Sequence, residues 1–89
     1  MVRVTGTLTC GTPAEVAVVE AYLPDHIALS RAEPGCLRFD VVQVAPMVWR
    51  LDEAFADRAA FEAHQVRTRG SVWFTASQGL SRDFQIVEA

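Results

Sequence analysis

Apolar residues recur at every second position from Val2 to Cys10: Val2, Val4, Gly6, Leu8 and Cys10 alternate with Arg3, Thr5, Thr7 and Thr9. A period of two marks a strand with one buried face. Gly11 breaks the pattern, and Thr12-Pro13-Ala14-Glu15 then opens a helix as a capping box. Threonine takes the N-cap, proline the first helical position, and glutamate follows three residues after the cap. Val16, Val19, Leu23 and Ile27 fall on one helical stripe. Pro24 lies inside it and removes a backbone donor, so a kink or division of the helix is expected there. Glu33-Pro34-Gly35 ends the helix, because the residue before a proline leaves the helical region and glycine accepts positive φ.

Alternation returns from Cys36 to Val44, with Leu37, Phe39 and Val41 on one side and Arg38 and Asp40 on the other. Ala45-Pro46-Met47 is a tight connection into a third strand, Val48 to Phe55. That strand places Trp49, Leu51, Glu53 and Phe55 on one face and Val48, Arg50, Asp52 and Ala54 on the other, and it forms a hairpin with the second strand. Asp57 can cap a short helix from Arg58 to about Gln65, with Phe61 and His64 one turn apart. A further helical stretch, Thr68 to Ser77, carries Val72, Trp73 and Ala76. Gly79 stops it, and Phe84 and Ile86 belong to a final strand. The order β-α-β-β-α-(α)-β is that of a ferredoxin-like α+β fold: a four-stranded antiparallel sheet with helices on one face.

At 89 residues the chain is expected to form one domain over 1–89. A domain of that size buries only ~60–65% of its unfolded surface. Its apolar fraction of 51% is high for so little interior, which points to a homodimer. The net charge is −3, with eight arginines spread along the chain and no lysine, so neither a nucleic-acid footprint nor a Schiff-base lysine is expected. Asparagine is absent too. Cys10 and Cys36 lie outside any CxxC spacing, and no leader or long apolar run is evident. A cytoplasmic protein with buried thiols, no membrane contact and no metal is the expectation.

Two groups stand out chemically. His64 falls at the expected end of its helix, where the macrodipole favours the imidazolium; a structural histidine capping that end is the competing reading. Glu53 interrupts an apolar strand face, where a carboxylate is costly unless paired. It either forms a buried ion pair or cap, or tunes a histidine or takes a proton itself. The chain reverses between Phe55 and Arg58, seven helical residues cover ~10 Å, and the return along the strand covers ~7–10 Å. His64 is therefore expected near the level of Glu53. His26 is read as an exposed histidine or a pocket residue. Trp49, Trp73, Phe39, Phe55, Phe61 and Phe74 are core residues that can also wall a pocket for a flat aromatic ligand. Arg38 and Arg50 either pair with Asp40 and Asp52 across a dimer interface or are solvated. No GxGxxG, P-loop, nucleophile elbow or carboxylate metal site is present.

The element order, the Arg31-Ala-Glu-Pro-Gly-Cys36 run, Glu53 two residues before Phe55, and Ala60–His64 together resemble the antibiotic biosynthesis monooxygenase family, over Val2 to Val87. The resemblance implies a dimeric α+β barrel built sheet to sheet, with a pocket between helices and sheet in each subunit. Some members oxygenate quinols or phenols without metal or flavin, while others degrade haem or isomerise small phosphorylated sugars. His64 matches the histidine closing the family's second helix, and Glu53 the glutamate of its Glu-x-aromatic strand motif. Haem degraders of this fold use an asparagine, and a tryptophan about ten residues before the histidine. This chain has no asparagine and carries Ala54 and Phe55 there, so haem degradation does not fit.

The expected function is a cofactor-independent monooxygenase acting with O2 on a small aromatic or quinol. His64 would deprotonate or hold the substrate, and Glu53 would orient it. Trp49, Trp73, Phe39, Phe61, Phe55 and His26 would line the pocket. The alternatives are a non-catalytic dimeric ligand-binding or accessory module, and an isomerase of a small polar metabolite.

Overall fold

The computed structural model of the chain describes residues 1–89. Its elements are β1 (Val2–Thr9), α1 (Pro13–Arg31), β2 (Cys36–Ala45), β3 (Val48–Phe55), α2 (Arg58–Arg69), α3 (Val72–Ala76) and β4 (Ser81–Glu88). The strands form one antiparallel sheet in the order β2-β3-β1-β4, the ferredoxin-like α+β arrangement. Val2, Val4 and Leu8 of β1 and Trp49, Leu51, Glu53 and Phe55 of β3 are buried beneath the helices.

Local chemistry sets the element ends. Thr12 Oγ1 accepts from the Glu15 backbone N–H, while Glu15 reaches back to the Gly11 N–H rather than to its own cap. Pro24 does not divide α1, which runs through it as one helix of 19 residues. Pro24 lies on the exposed side, so water can satisfy the carbonyl it leaves unpaired. Leu37 does not join Phe39 on the inner face. A β-bulge between Cys36 and Arg38 leaves it unpaired and exposed. The second helix does not stop near Gln65. It continues to Arg69 and ends at Gly70, and α3 begins only at Val72, after Ser71 caps it.

Two glycines permit close approaches. At Gly6 (φ 153°) a Cβ would collide with the Asp83 carbonyl oxygen, so only glycine lets β4 pair here. At Gly35 (φ 82°) a Cβ would lie 2.6 Å from Ala60 Cβ. The turn after α1 thus presses against α2 and carries Glu33 toward it.

Buried apolar side chains form two clusters. One gathers Trp49, Trp73, Val19, Leu23 and Leu80, and the other Val2, Val4, Phe39, Leu51, Phe55 and Phe61. On the opposite sheet face the charges pair within the chain. Arg3 and Arg38 both bind Asp52, at 2.9 and 3.1 Å, holding its carboxyl below the usual range, and Arg38 also approaches Asp40. Arg38 therefore already has its carboxylates in the same chain, and Arg50 has none within 4.0 Å. No helix is long and apolar enough to cross a membrane.

Candidate active site

His64 lies in the middle of α2, on the face that α2 turns toward the sheet, and is 3% exposed. Being mid-helix, it gains nothing from the C-terminal dipole. Burial instead pushes its pKa below the usual histidine value, although the Glu33 carboxylate opposes that shift. Its Nδ1 stands 3.0 Å from Glu33 Oε1. The same oxygen accepts from Arg67 Nε at 2.7 Å, and Arg67 Nη2 donates to Ser30 Oγ at 2.9 Å. An oxygen already accepting from a guanidinium also accepts from the imidazole, so Nδ1 carries the proton and Nε2 presents its lone pair. Around that Nε2 stand Glu53 Oε1 at 3.8 Å and Thr68 Oγ1 at 3.4 Å.

Glu53 is 8% exposed and makes no hydrogen bond within the chain. Burial, reinforced by the charges of Glu33 and Asp52, pushes its pKa up to about 8. It is thus a protonated acid at neutral pH, held beside an imidazole that is neutral for the same reason, loss of water. Glu33, and not Glu53, supplies the hydrogen bond that orients His64.

Both groups line a cavity of about 240 Å3 between α1, α2, α3 and the sheet. Phe39, Phe61, Trp73 and His26 contribute to its wall, with Leu51, Phe74, Phe84 and Ile86. His26 is not exposed. It is 6% exposed, packs near-parallel to Trp73 at 5.8 Å, and meets Phe39 edge-on at 5.5 Å. Burial, with the Arg67 and His64 charges adding to it, lowers its pKa to about 4, and its Nδ1 has no partner. Two expected wall residues lie elsewhere. Trp49 belongs to the neighbouring cluster, and Phe55 sits behind His64, with ring centroids 4.9 Å apart, instead of facing the cavity. No three His, Cys, Asp or Glu side chains converge closely enough to hold a metal ion.

The profile of the antibiotic biosynthesis monooxygenase family matches residues 1–69. The chain belongs to this family. Solved structures share its fold. A proposed antibiotic biosynthesis monooxygenase from Deinococcus radiodurans is 20% identical with a TM-score of 0.76, covering 100% of this chain and 92% of its own. PA3566 from Pseudomonas aeruginosa is 24% identical with a TM-score of 0.76, covering 99% and 92%. Rv0793 from Mycobacterium tuberculosis is 18% identical with a TM-score of 0.72, covering 100% and 95%. No curated protein matches the sequence.

Against this family background, the residues not anticipated as site residues are Glu33, Arg67 and Arg82. Glu33 reads in the sequence as a helix stop, 31 positions from its histidine, and no local pattern links the two. Arg67 could have been found only by extending α2 past Gln65, which would have put it one turn beyond His64 on the same face.

Proposed function

We propose that this monooxygenase-family protein oxidises a quinol-type aromatic with O2, using His64 as the base and Glu53 as the acid. The observation that carries the reading is the 3.0 Å contact of His64 Nδ1 with the Glu33 carboxylate, which selects the tautomer. Glu33 holds Nδ1–H, and Nε2 faces the Thr68 hydroxyl and a protonated carboxyl in an aromatic-walled cavity. Apolar cavities of ~150 Å3 hold benzene, so 240 Å3 accommodates one or two fused rings.

His64 Nε2 takes the proton of a substrate hydroxyl, and the resulting phenolate is electron-rich enough to reduce O2. Glu53 donates its proton where negative charge develops on oxygen, and the apolar walls exclude water from the intermediates. The stoichiometry closes on the substrate itself: quinol plus O2 gives hydroxyquinone plus water. Four electrons leave the organic molecule, one oxygen atom enters a new C–OH bond, and the other leaves as water. No external reductant or cofactor is needed for that balance.

The accessory-module alternative would gain most if Glu53 and His64 were far apart or each tied up in structural hydrogen bonds; His64 is bonded to Glu33 and Thr68, but Glu53 is not. Their 3.8 Å approach and the free Glu53 carboxyl support chemistry instead. For the isomerase of a small polar metabolite, clustered arginines would favour a phosphorylated ligand, whereas a single arginine lines the cavity. We place the protein in the cytoplasm as a homodimer. Its thiols are free, and Val42 and Val87 stand exposed on the helix-free sheet face. Turnover of 1,4-dihydroxynaphthalene under 18O2, read by mass spectrometry, tests the reaction. One labelled atom in the hydroxynaphthoquinone is expected. Formation of the unsubstituted quinone with hydrogen peroxide would replace monooxygenation with simple oxidation.

A further inference from the structure

The cavity carries one cation, and no carboxylate of the chain neutralises it. Arg82, in β4, lines the same cavity as His64 and Glu53. Arg3, Arg31, Arg38, Arg58 and Arg67 each stand within 4.0 Å of a carboxylate. Of the other three, only Arg82 faces the cavity. Its guanidinium is fixed from behind. Nη1 donates to the Ser77 and Leu80 carbonyls at 2.9 and 3.3 Å, and Nη2 donates to the fully buried Ser77 Oγ at 2.6 Å. Nε–H and the second Nη2 hydrogen make no bond with the chain, and that edge is the one that takes a carboxylate bidentately. Partial burial makes the charge costly to hold alone. Its field reaches the unpartnered His26 imidazole in the same wall.

The sheet register gives the cavity a direction. Glu53 lies opposite Val4 on β1, and Arg82 lies opposite Leu8. Those positions are four residues, or ~13 Å of strand, apart. The proton-transfer groups and the cation thus occupy different ends of an apolar floor.

We propose that Arg82 anchors a carboxylate on the ligand, so that the cavity takes an elongated aromatic acid. The hydroxyl end lies at His64 and Glu53, and the carboxylate lies on Arg82. The proposal rests on the cavity being the substrate site, but it concerns binding and does not require turnover.

The test compares 6-hydroxy-2-naphthoate with its neutral isostere, 6-hydroxy-2-naphthamide, by isothermal titration calorimetry. Wild-type protein is expected to bind the acid at least tenfold more tightly than the amide, with the ratio shrinking in high salt. Arg82→Gln should bring the ratio to about one, and Arg82→Lys should retain part of it. Equal wild-type affinities, or binding of neither compound, would overturn the anchor. So would an unchanged acid-to-amide ratio in Arg82→Gln, which would reduce Arg82 to a support for the Ser77 turn. If Arg82→Gln fails to fold, the wild-type ratio and its salt dependence still decide. Protein that prefers the acid through Arg82 yet consumes no O2 with 1,4-dihydroxynaphthalene loses the monooxygenase reading and keeps the anchor.

Discussion

The cluster around Trp49 and the cluster around Phe55 share one sheet face and are both built on aromatic rings, but they differ in what they bury. Around Trp49 the buried apolar members are Leu8, Cys10, Val19, Leu23, Trp73 and Leu80; burial keeps the Cys10 thiol protonated, and His26 stacks on Trp73 at the border with the cavity. Around Phe55 the rings of Phe39 and Phe55 close on His64, Glu53 projects from the same strand face, and a cavity opens beside them. Two titratable groups in an apolar setting cost stability that packing alone would avoid. That cost, placed beside a cavity, fits the Phe55 half to the proposed proton transfer, while the Trp49 half supplies packing and lends Leu8, Leu23 and Trp73 to the cavity wall.

If the halves divide in this way, mutations should separate stability from activity. Trp49→Ala has the largest expected effect on folding, a loss of about 3–5 kcal/mol through the void it leaves. It should leave the rate per folded molecule close to wild type, as checked by urea unfolding alongside turnover. A rate that falls with the packing would break the division.

The second effect is on stability against pH. Glu53 has a folded pKa of about 8, raised from 4.5, so folding retains its proton. The stability linked to that proton is full below pH 4.5, declines as pH rises, and is lost by about pH 8. His26 works oppositely. With its pKa lowered from 6.5 to about 4, it contributes stability above pH 6.5 that is lost as pH falls toward 4. Between 4.5 and 6.5 the two slopes oppose each other, and from 6.5 to 8 the Glu53 slope stands alone. Wild-type stability should therefore fall across that upper window by about 2 kcal/mol, at up to ~1.4 kcal/mol per pH unit. Glu53→Gln should flatten it. A wild-type curve already flat from 6.5 to 8 would show that Glu53 is ionised in the folded protein.

The smallest of these effects concerns positioning. Glu33→Gln should lower kcat about tenfold (~1.4 kcal/mol) with KM nearly unchanged. The acid limb of the pH–rate profile should move to lower pH, because the carboxylate that raises the His64 pKa is gone. An unmoved acid limb would leave Glu33 a purely structural partner.

The fold was legible because its signals are local. The alternation of Val2 to Leu8, the Thr12-Pro13 start, the Glu33-Pro34-Gly35 stop and the Asp57 cap each act within a few residues. Differences arose where the surroundings overrode local preference: α1 undivided at the exposed Pro24, Leu37 expelled by a bulge, and α2 extended to Arg69. The site was half legible. A glutamate interrupting Trp49-Leu51-Phe55 is a visible anomaly, and the chain reversal placed His64 near it. Glu33 and Arg82 were not visible, because their roles depend on where the Gly35 turn and the last strand come to rest, and Arg67 was lost with the last turn of α2. The same limit explains Trp49 and Phe55, whose alternation fixes the buried face but not which buried side chains border empty space.

The most direct test of the central claim, that His64 held by Glu33 is the base, is O2 consumption across a quinol panel, corrected for spontaneous oxidation. Wild type and His64→Ala would be compared at pH 7, with folding of both verified by thermal unfolding. The expected result is catalysed O2 uptake by wild type and a loss of about 100-fold or more in His64→Ala, the range that general base catalysis supplies. Equal rates in the two folded proteins would contradict it.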